Sequence, residues 1–127
     1  MKLPILRINQ RNEHGRIYTH ESVNVIMKQF REKTNNNLAV VGEFPQPERS
    51  TIDLRNASHE VVSLILEDDV LYGEIRPYIP FIQDKMGLKL NIRAFASITH
   101  DGIIEIAELI TFDLHYIEFK FLTKNVV

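Results

Sequence analysis

The chain has 127 residues, of which 44% are hydrophobic and 25% charged, enough to bury one core and too few to divide comfortably into two. A formal net charge of -2 leaves no excess of basic side chains to neutralise a phosphate backbone, so nucleic acid is not expected as the main partner. The absence of cysteine excludes disulfides, thiolate metal ligands and a cysteine nucleophile. No long apolar run follows Lys2, and no stretch approaches the roughly 18–20 apolar residues of a membrane span, so neither a secretion signal nor membrane insertion is expected.

In chain order, residues 2–8 are apolar-rich and suit a first strand, and the polar stretch from Asn9 to Arg16 reads as a loop. From Thr19 to about Lys33, the residues Val23, Ile26, Met27 and Phe30 recur at i, i+3, i+4 and i+7, the spacing of one helix face. Thr19 is suited to cap the first turn, and Asn35-Asn36-Asn37 to end the helix, because asparagine tolerates the left-handed conformation common after a helix C-terminus. Leu38 to Phe44 predicts a buried strand broken by Pro45 and Pro47, which lack the amide hydrogen of a central ladder. Val61–Leu66 and Val70–Tyr78, joined by Glu67-Asp68-Asp69, predict an antiparallel hairpin.

Residues from Pro80 to Met86 suit a short helix stopped by Gly87. Beyond it Leu88, Leu90, Ile92, Ala94, Ala96 and Ile98 alternate with more polar residues, a strand with one buried face. His100-Asp101-Gly102 marks a turn, and Ile103–Ile117 returns as a long, bulged strand. The expected fold is α+β, one domain over 1–127, with a mostly antiparallel sheet or partly closed β-barrel flanked by one long and one short helix. Tyr116–Leu122 alternate like an edge strand, and residues 116–127 are expected as an edge strand or partner-binding tail, in which Tyr116, Phe119 and Phe121 are the candidate contacts. A last strand folded on its own domain is the alternative.

Five segments in one order resemble the prohead core proteases of tailed bacteriophages, especially the T4-like ones. Asn12-Glu13-His14-Gly15-Arg16-Ile17-Tyr18 is similar to their Asn-x-Asn-Gly-Arg-x-Tyr signature, and Val41-Gly42-Glu43-Phe44-Pro45-Gln46-Pro47 to Gly-Glu-Leu-Asn-His-Pro. Asn56-Ala57-Ser58-His59 with Val70-Leu71-Tyr72-Gly73-Glu74 resembles a Val-Ser-His segment and Val-Tyr-Gly hairpin. Leu90-Asn91-Ile92-Arg93-Ala94-Phe95-Ala96-Ser97 and Thr111-Phe112-Asp113-Leu114 are similar to Val-Ser-Ser-Arg-Gly-x-Gly-Ser and a late Val-Asp-Val. The resemblance covers about residues 9–117 and implies the herpesvirus-assemblin-like serine-protease fold.

It also implies a degenerate site. The family histidine falls on Gln46 and its nucleophilic serine on Asn91, and a carboxamide supplies neither a base near neutral pH nor a hydroxyl nucleophile. Ile92 takes the second serine and Ala94 the glycine, while Arg93 and Asp113 keep their identities and cannot start acyl transfer alone. Alternation places Asn91 and Arg93 on one strand face, from which Gln46 and Asn91 are expected to exchange an amide hydrogen bond. His59, Ser63, Ser97 and Asp113 supply a relocated triad on paper, but Ser97 lies about 6–7 Å along an extended strand from Asn91, too far to inherit the same oxyanion geometry. The plain readings are a hydrogen-bonded histidine entering a strand and an exposed strand serine.

His14, His20, His100 and His115 lack metal-ligand spacing, so no metal or other cofactor is expected. Arg7, Arg11 and Arg16 form a loose basic cluster that reads as a solvated loop rather than a nucleic-acid contact, and Gly15 and Gly42 form no phosphate loop. The expected function is a non-enzymatic virion protein, a capsid decoration, minor capsid or head-assembly factor found in the capsid and, during assembly, in the host cytoplasm. Its expected partner is the major capsid protein or another virion structural protein, with self-association as a further option. An active protease with a shifted nucleophile and a phage regulator of a host factor are the alternatives.

Overall fold

The computed structural model describes residues 1–79 and 87–117. The short helix expected over 80–86 and the tail residues Phe119 and Phe121 lie outside them. The described residues form six strands and one α-helix, β1 (Lys2–Arg7), α1 (His20–Asn35), β2 (Val40–Glu43), β3 (Ala57–Glu67), β4 (Val70–Pro77), β5 (Leu88–Ile98) and β6 (Ile104–Tyr116), with a 3-10 turn at Leu54–Asn56. The strands form a four-stranded antiparallel sheet in the order β1-β4-β3-β2 and a separate β5-β6 hairpin. The two sheets do not close into a barrel, so the α+β, mainly antiparallel expectation holds in its open form.

The helix starts where its capping chemistry begins. Thr19 Oγ1 accepts from Ser22 N at 3.1 Å while Ser22 Oγ accepts from Thr19 N at 3.3 Å, a reciprocal capping box. At the other end Asn36 caps the helix and Asn37 takes a positive φ of 59°. Val23, Ile26 and Phe30 are buried, and Met27 packs at the margin of the same core. Phe30 meets Phe112 edge-on, with ring centroids 6.3 Å apart. Around this pair Leu71, Leu90, Leu109 and Leu114 are fully buried, so the core lies where the helix, the four-stranded sheet and the hairpin converge.

Polar helix groups close the free edge of β6. Gln29 donates through Nε2 to Ala107 O (3.1 Å) and accepts through Oε1 from Leu109 N (2.6 Å), while Ser22 Oγ donates to Ile104 O (2.6 Å). One carboxamide thus does for β6 what a neighbouring strand would do, and leaves fewer backbone groups open to edge pairing. The expected bulging of the last strand is present, with Ala107 and Ile110 as extra residues opposite β5.

The β3-β4 hairpin turns at Asp68 and Asp69, both with positive φ (51° and 64°), the two-residue geometry that matches strand twist. β3 begins at Ala57, four residues before the expected start, and β2 ends at Glu43, one residue before Phe44 and its cis bond to Pro45. The β3 pattern was hidden by bulges at Ser58 and Val62, each of which interrupts strict alternation.

Gly42 sits where β2 crosses β6. A Cβ there would fall inside the contact distance of Phe112 O and of the His59 ring. Gly42→Ala is therefore expected to destabilise the fold by about 1–3 kcal/mol, the range for overpacking, read as a lower urea midpoint with an unchanged m-value.

Candidate functional site

At the junction of β2, β5 and β6, Arg93 is buried and uses all five of its N–H groups. Nε donates to Asp113 Oδ2 (2.9 Å) and Nη2 to Asp113 Oδ1 (2.7 Å), a two-point clasp on one carboxylate. Nη2 also donates to Glu43 Oε2 (3.0 Å), and Nη1 to the carbonyls of Thr51 (2.7 Å) and Arg49 (3.2 Å). Asp113 Oδ1 accepts in addition from Glu43 N (2.9 Å), and the Arg49 guanidinium closes on Glu43 Oε1. Glu43, Arg93 and Asp113 are 3%, 6% and 0% exposed, and with Arg49 they make a cluster of two cations and two anions. Burial works against the guanidinium's charge, but the hydrogen bonds to Asp113 and Glu43 outweigh it and raise its pKa.

Gln46 and Asn91 lie beside this cluster on one cavity wall, and both are half-buried. The expected amide exchange between them is not formed. Gln46 Nε2 donates instead to the carbonyl of Ile92 (3.2 Å), and among the described residues no hydrogen bond joins the Gln46 and Asn91 side chains. The backbone acceptor one residue along β5 has captured the glutamine. Tyr116, placed in a tail by its sequence, pairs with Leu88 at the end of β6 and sets its ring edge-on against Phe44, centroids 5.0 Å apart.

The relocated triad does not assemble. Ser97 is exposed opposite Glu105 on the hairpin arm, Ser63 is half-buried opposite Glu74, and Asp113 is occupied by Arg93 and Glu43. His59 is fully buried in β3, with Nε2 2.8 Å from Phe112 O and Nδ1 2.8 Å from Ser58 Oγ. Since a carbonyl only accepts, the partners assign the proton to Nε2 and make Nδ1 the acceptor of the Ser58 hydroxyl. The bulge at Ser58 lets these two adjacent residues both face inward. They have the spacing of a nucleophile and base, but at 1% and 0% exposure neither meets a substrate.

The helix packed against an open pair of antiparallel sheets has a counterpart among solved structures. The fold is similar to that of the bacteriophage T4 capsid assembly protease, gp21. The two share a TM-score of 0.69 and 16% sequence identity, over 90% of this chain and 79% of gp21. No protein-family model matches the chain, and no curated protein matches it. The likeness to gp21 supports the prohead-protease-like architecture expected from the five ordered segments.

Glu43 and Arg49 complete the buried cluster and were not singled out from the sequence. The signal for Glu43 was present, because a carboxylate inside an otherwise apolar strand segment, Val40-Val41-Gly42-Glu43, needs a buried cation. Arg49 and the carbonyl of Thr51 carried no such signal, since they belong to an irregular loop.

Arg93→Met leaves the buried Asp113 carboxylate without its cation and Glu43 paired with Arg49, and is expected to cost about 3–5 kcal/mol, whereas Arg49→Met, at a side chain 40% exposed, is expected to cost no more than about 1 kcal/mol; chemical denaturation compares them. Burial holds the His59 pKa below its ordinary 6.5, with the Phe112 hydrogen bond and the Asp113 charge pulling less strongly the other way. The unfolded chain therefore takes a proton near pH 6.5 that the folded chain refuses. Stability is retained above that pH and falls below it, by up to about 1.4 kcal/mol per pH unit. Urea midpoints between pH 7.5 and 5 should show this slope, and His59→Asn should remove it.

Proposed function

We propose that the chain is a non-enzymatic bacteriophage head protein, a prohead-protease-like scaffold that serves as a binding module in capsid assembly or decoration. Its partner is the major capsid protein or another virion structural protein, and its place is the capsid, after assembly in the host cytoplasm. The likeness to a capsid assembly protease supports the setting, although a fold alone does not fix a function. The loss of activity is supported by carboxamides at the two positions that resemble the protease histidine and serine, Gln46 and Asn91.

The observation that carries the inactive reading is the complete occupation of Arg93. A guanidinium beside a nucleophile position is suited to stabilise developing negative charge only if a donor is free to turn toward it. Here each N–H already has a protein acceptor. Asp113, the carboxylate placed to orient a base, is clasped by the same arginine.

A fluorophosphonate probe tests the chemistry: the wild-type chain should remain unlabelled under conditions that label an active serine protease to one equivalent. Stoichiometric labelling abolished by Ser97→Ala would overturn the inactive reading. Quantitative mass spectrometry of purified proheads and mature virions tests the setting, with the chain expected at a fixed copy number per particle. Absence from both particles would remove the head assignment.

A further inference from the structure

The three arginines that the sequence scatters along the N-terminal segment come together around one cavity. It has a volume of about 220 Å³ and lies between β1, the loop over residues 9–18 and β5. Arg7, Arg11, Arg16 and Lys89 contribute to its wall, against the single carboxylate of Glu13. The carboxamides of Gln46 and Asn91 add neutral donors on the same wall.

The loop that carries two of these cations is built rather than loose. Asn12 Oδ1 accepts from His14 N (2.9 Å) and Arg16 N (3.0 Å), Gly15 turns with φ +75°, and Ile17 bridges to Ile103. Arg11 fastens the loop to the hairpin turn through Gly15 O (2.6 Å) and Asp101 O (3.2 Å). Among the described residues the Arg7 side chain has one hydrogen bond, 3.4 Å to Asp68 O. Among the described residues the Arg16 and Lys89 side chains make no hydrogen bond or ion pair.

We propose that this cavity binds a small multivalent oxyanion, held by Lys89 and Arg16 with Arg7 beside them. One carboxylate would be satisfied by a single guanidinium fork. Cations arriving from β1, the loop and β5 instead match an anion that carries several charges on separated oxygens. The cavity is several times the roughly 30 Å³ share of one water, which leaves room for such an anion and part of its hydration. Lys89 adds a second argument, because burial lowers its pKa and Glu13 only partly offsets this; a bound anion would restore the favoured charge. Pyrophosphate and a polycarboxylate such as citrate share this chemistry. The inference does not depend on the proposed capsid role.

The test is urea denaturation of the full chain in pyrophosphate, in citrate and in potassium chloride at equal ionic strength. At an anion concentration 100 times its Kd, the folding equilibrium constant should rise about 100-fold above the chloride value. Lys89→Met and Arg16→Gln should each weaken the anion at least tenfold, and each is read against its own chloride control, so one folded variant suffices. A gain with pyrophosphate alone marks a phosphate ligand, and a gain with citrate alone a polycarboxylate. No gain beyond chloride, or an undiminished gain in the folded variants, overturns the proposal.

Discussion

A guanidinium has five N–H groups in one plane, and burying it is tolerable only if all five meet acceptors. Arg93 meets this condition by drawing on three parts of the chain: the Asp113 carboxylate from β6, the Glu43 carboxylate from β2 and two carbonyls from the loop that follows β2. Among the described residues no pairing of backbone hydrogen bonds joins the β5-β6 hairpin to the four-stranded sheet. The cluster therefore supplies a directional link where the ladder supplies none. Its net worth against an apolar replacement is small by general experience with buried ion pairs. What it fixes is position: the clasp on Asp113 ties the two strands of the hairpin together, while the Arg93–Glu43 pair and the Glu43 N to Asp113 hydrogen bond hold that hairpin against β2.

The same junction shows how an open arrangement avoids exposed strand edges without closing into a barrel. Ile92 and Phe112 face each other across the hairpin, and each has its carbonyl taken by a side chain, Gln46 on one side and His59 on the other. Gln29 and Ser22 serve β6 further along. Among the described residues no buried side-chain nitrogen or oxygen lacks a partner. Side chains thus complete ladders that a barrel would complete with strands, which is why a histidine, a glutamine and an arginine at the heart of the fold have structural work before any chemistry is considered.

How far the sequence disclosed this depends on the range of each interaction. The helix was legible because Val23, Ile26 and Phe30 repeat locally and Thr19 stands at the right distance before them. The Asp68-Asp69 turn and the β5-β6 hairpin were legible for the same reason, since neighbours in sequence decide them. The start of β3 was not, because the bulge at Ser58 places two successive side chains inside and erases the period of two. The Arg93 cluster was legible in half: Arg93 and Asp113 stood out, while Glu43 and the Arg49 and Thr51 carbonyls come from 42 to 50 residues away. Arg7, Arg11 and Arg16 read as a solvated loop, since nothing local shows that β5 will bring Lys89 to face them.

The proposed loss of protease chemistry would therefore involve more than the side chains at Gln46 and Asn91. Gln46 reaches the carbonyl of Ile92, the residue next to Asn91, so the two positions remain neighbours across the cavity wall. Gln46→His with Asn91→Ser would place an imidazole and a hydroxyl in that neighbourhood. It would not free a donor on Arg93 or release Asp113 to orient the imidazole, because Glu43 and the Arg49–Thr51 loop hold both in place. Catalysis depends on donors aimed at charge as it develops, and donors already spent on fixed acceptors must break those bonds first. On the proposed inactive reading, the contacts that order this junction would have to break before Arg93 or Asp113 could serve acyl transfer.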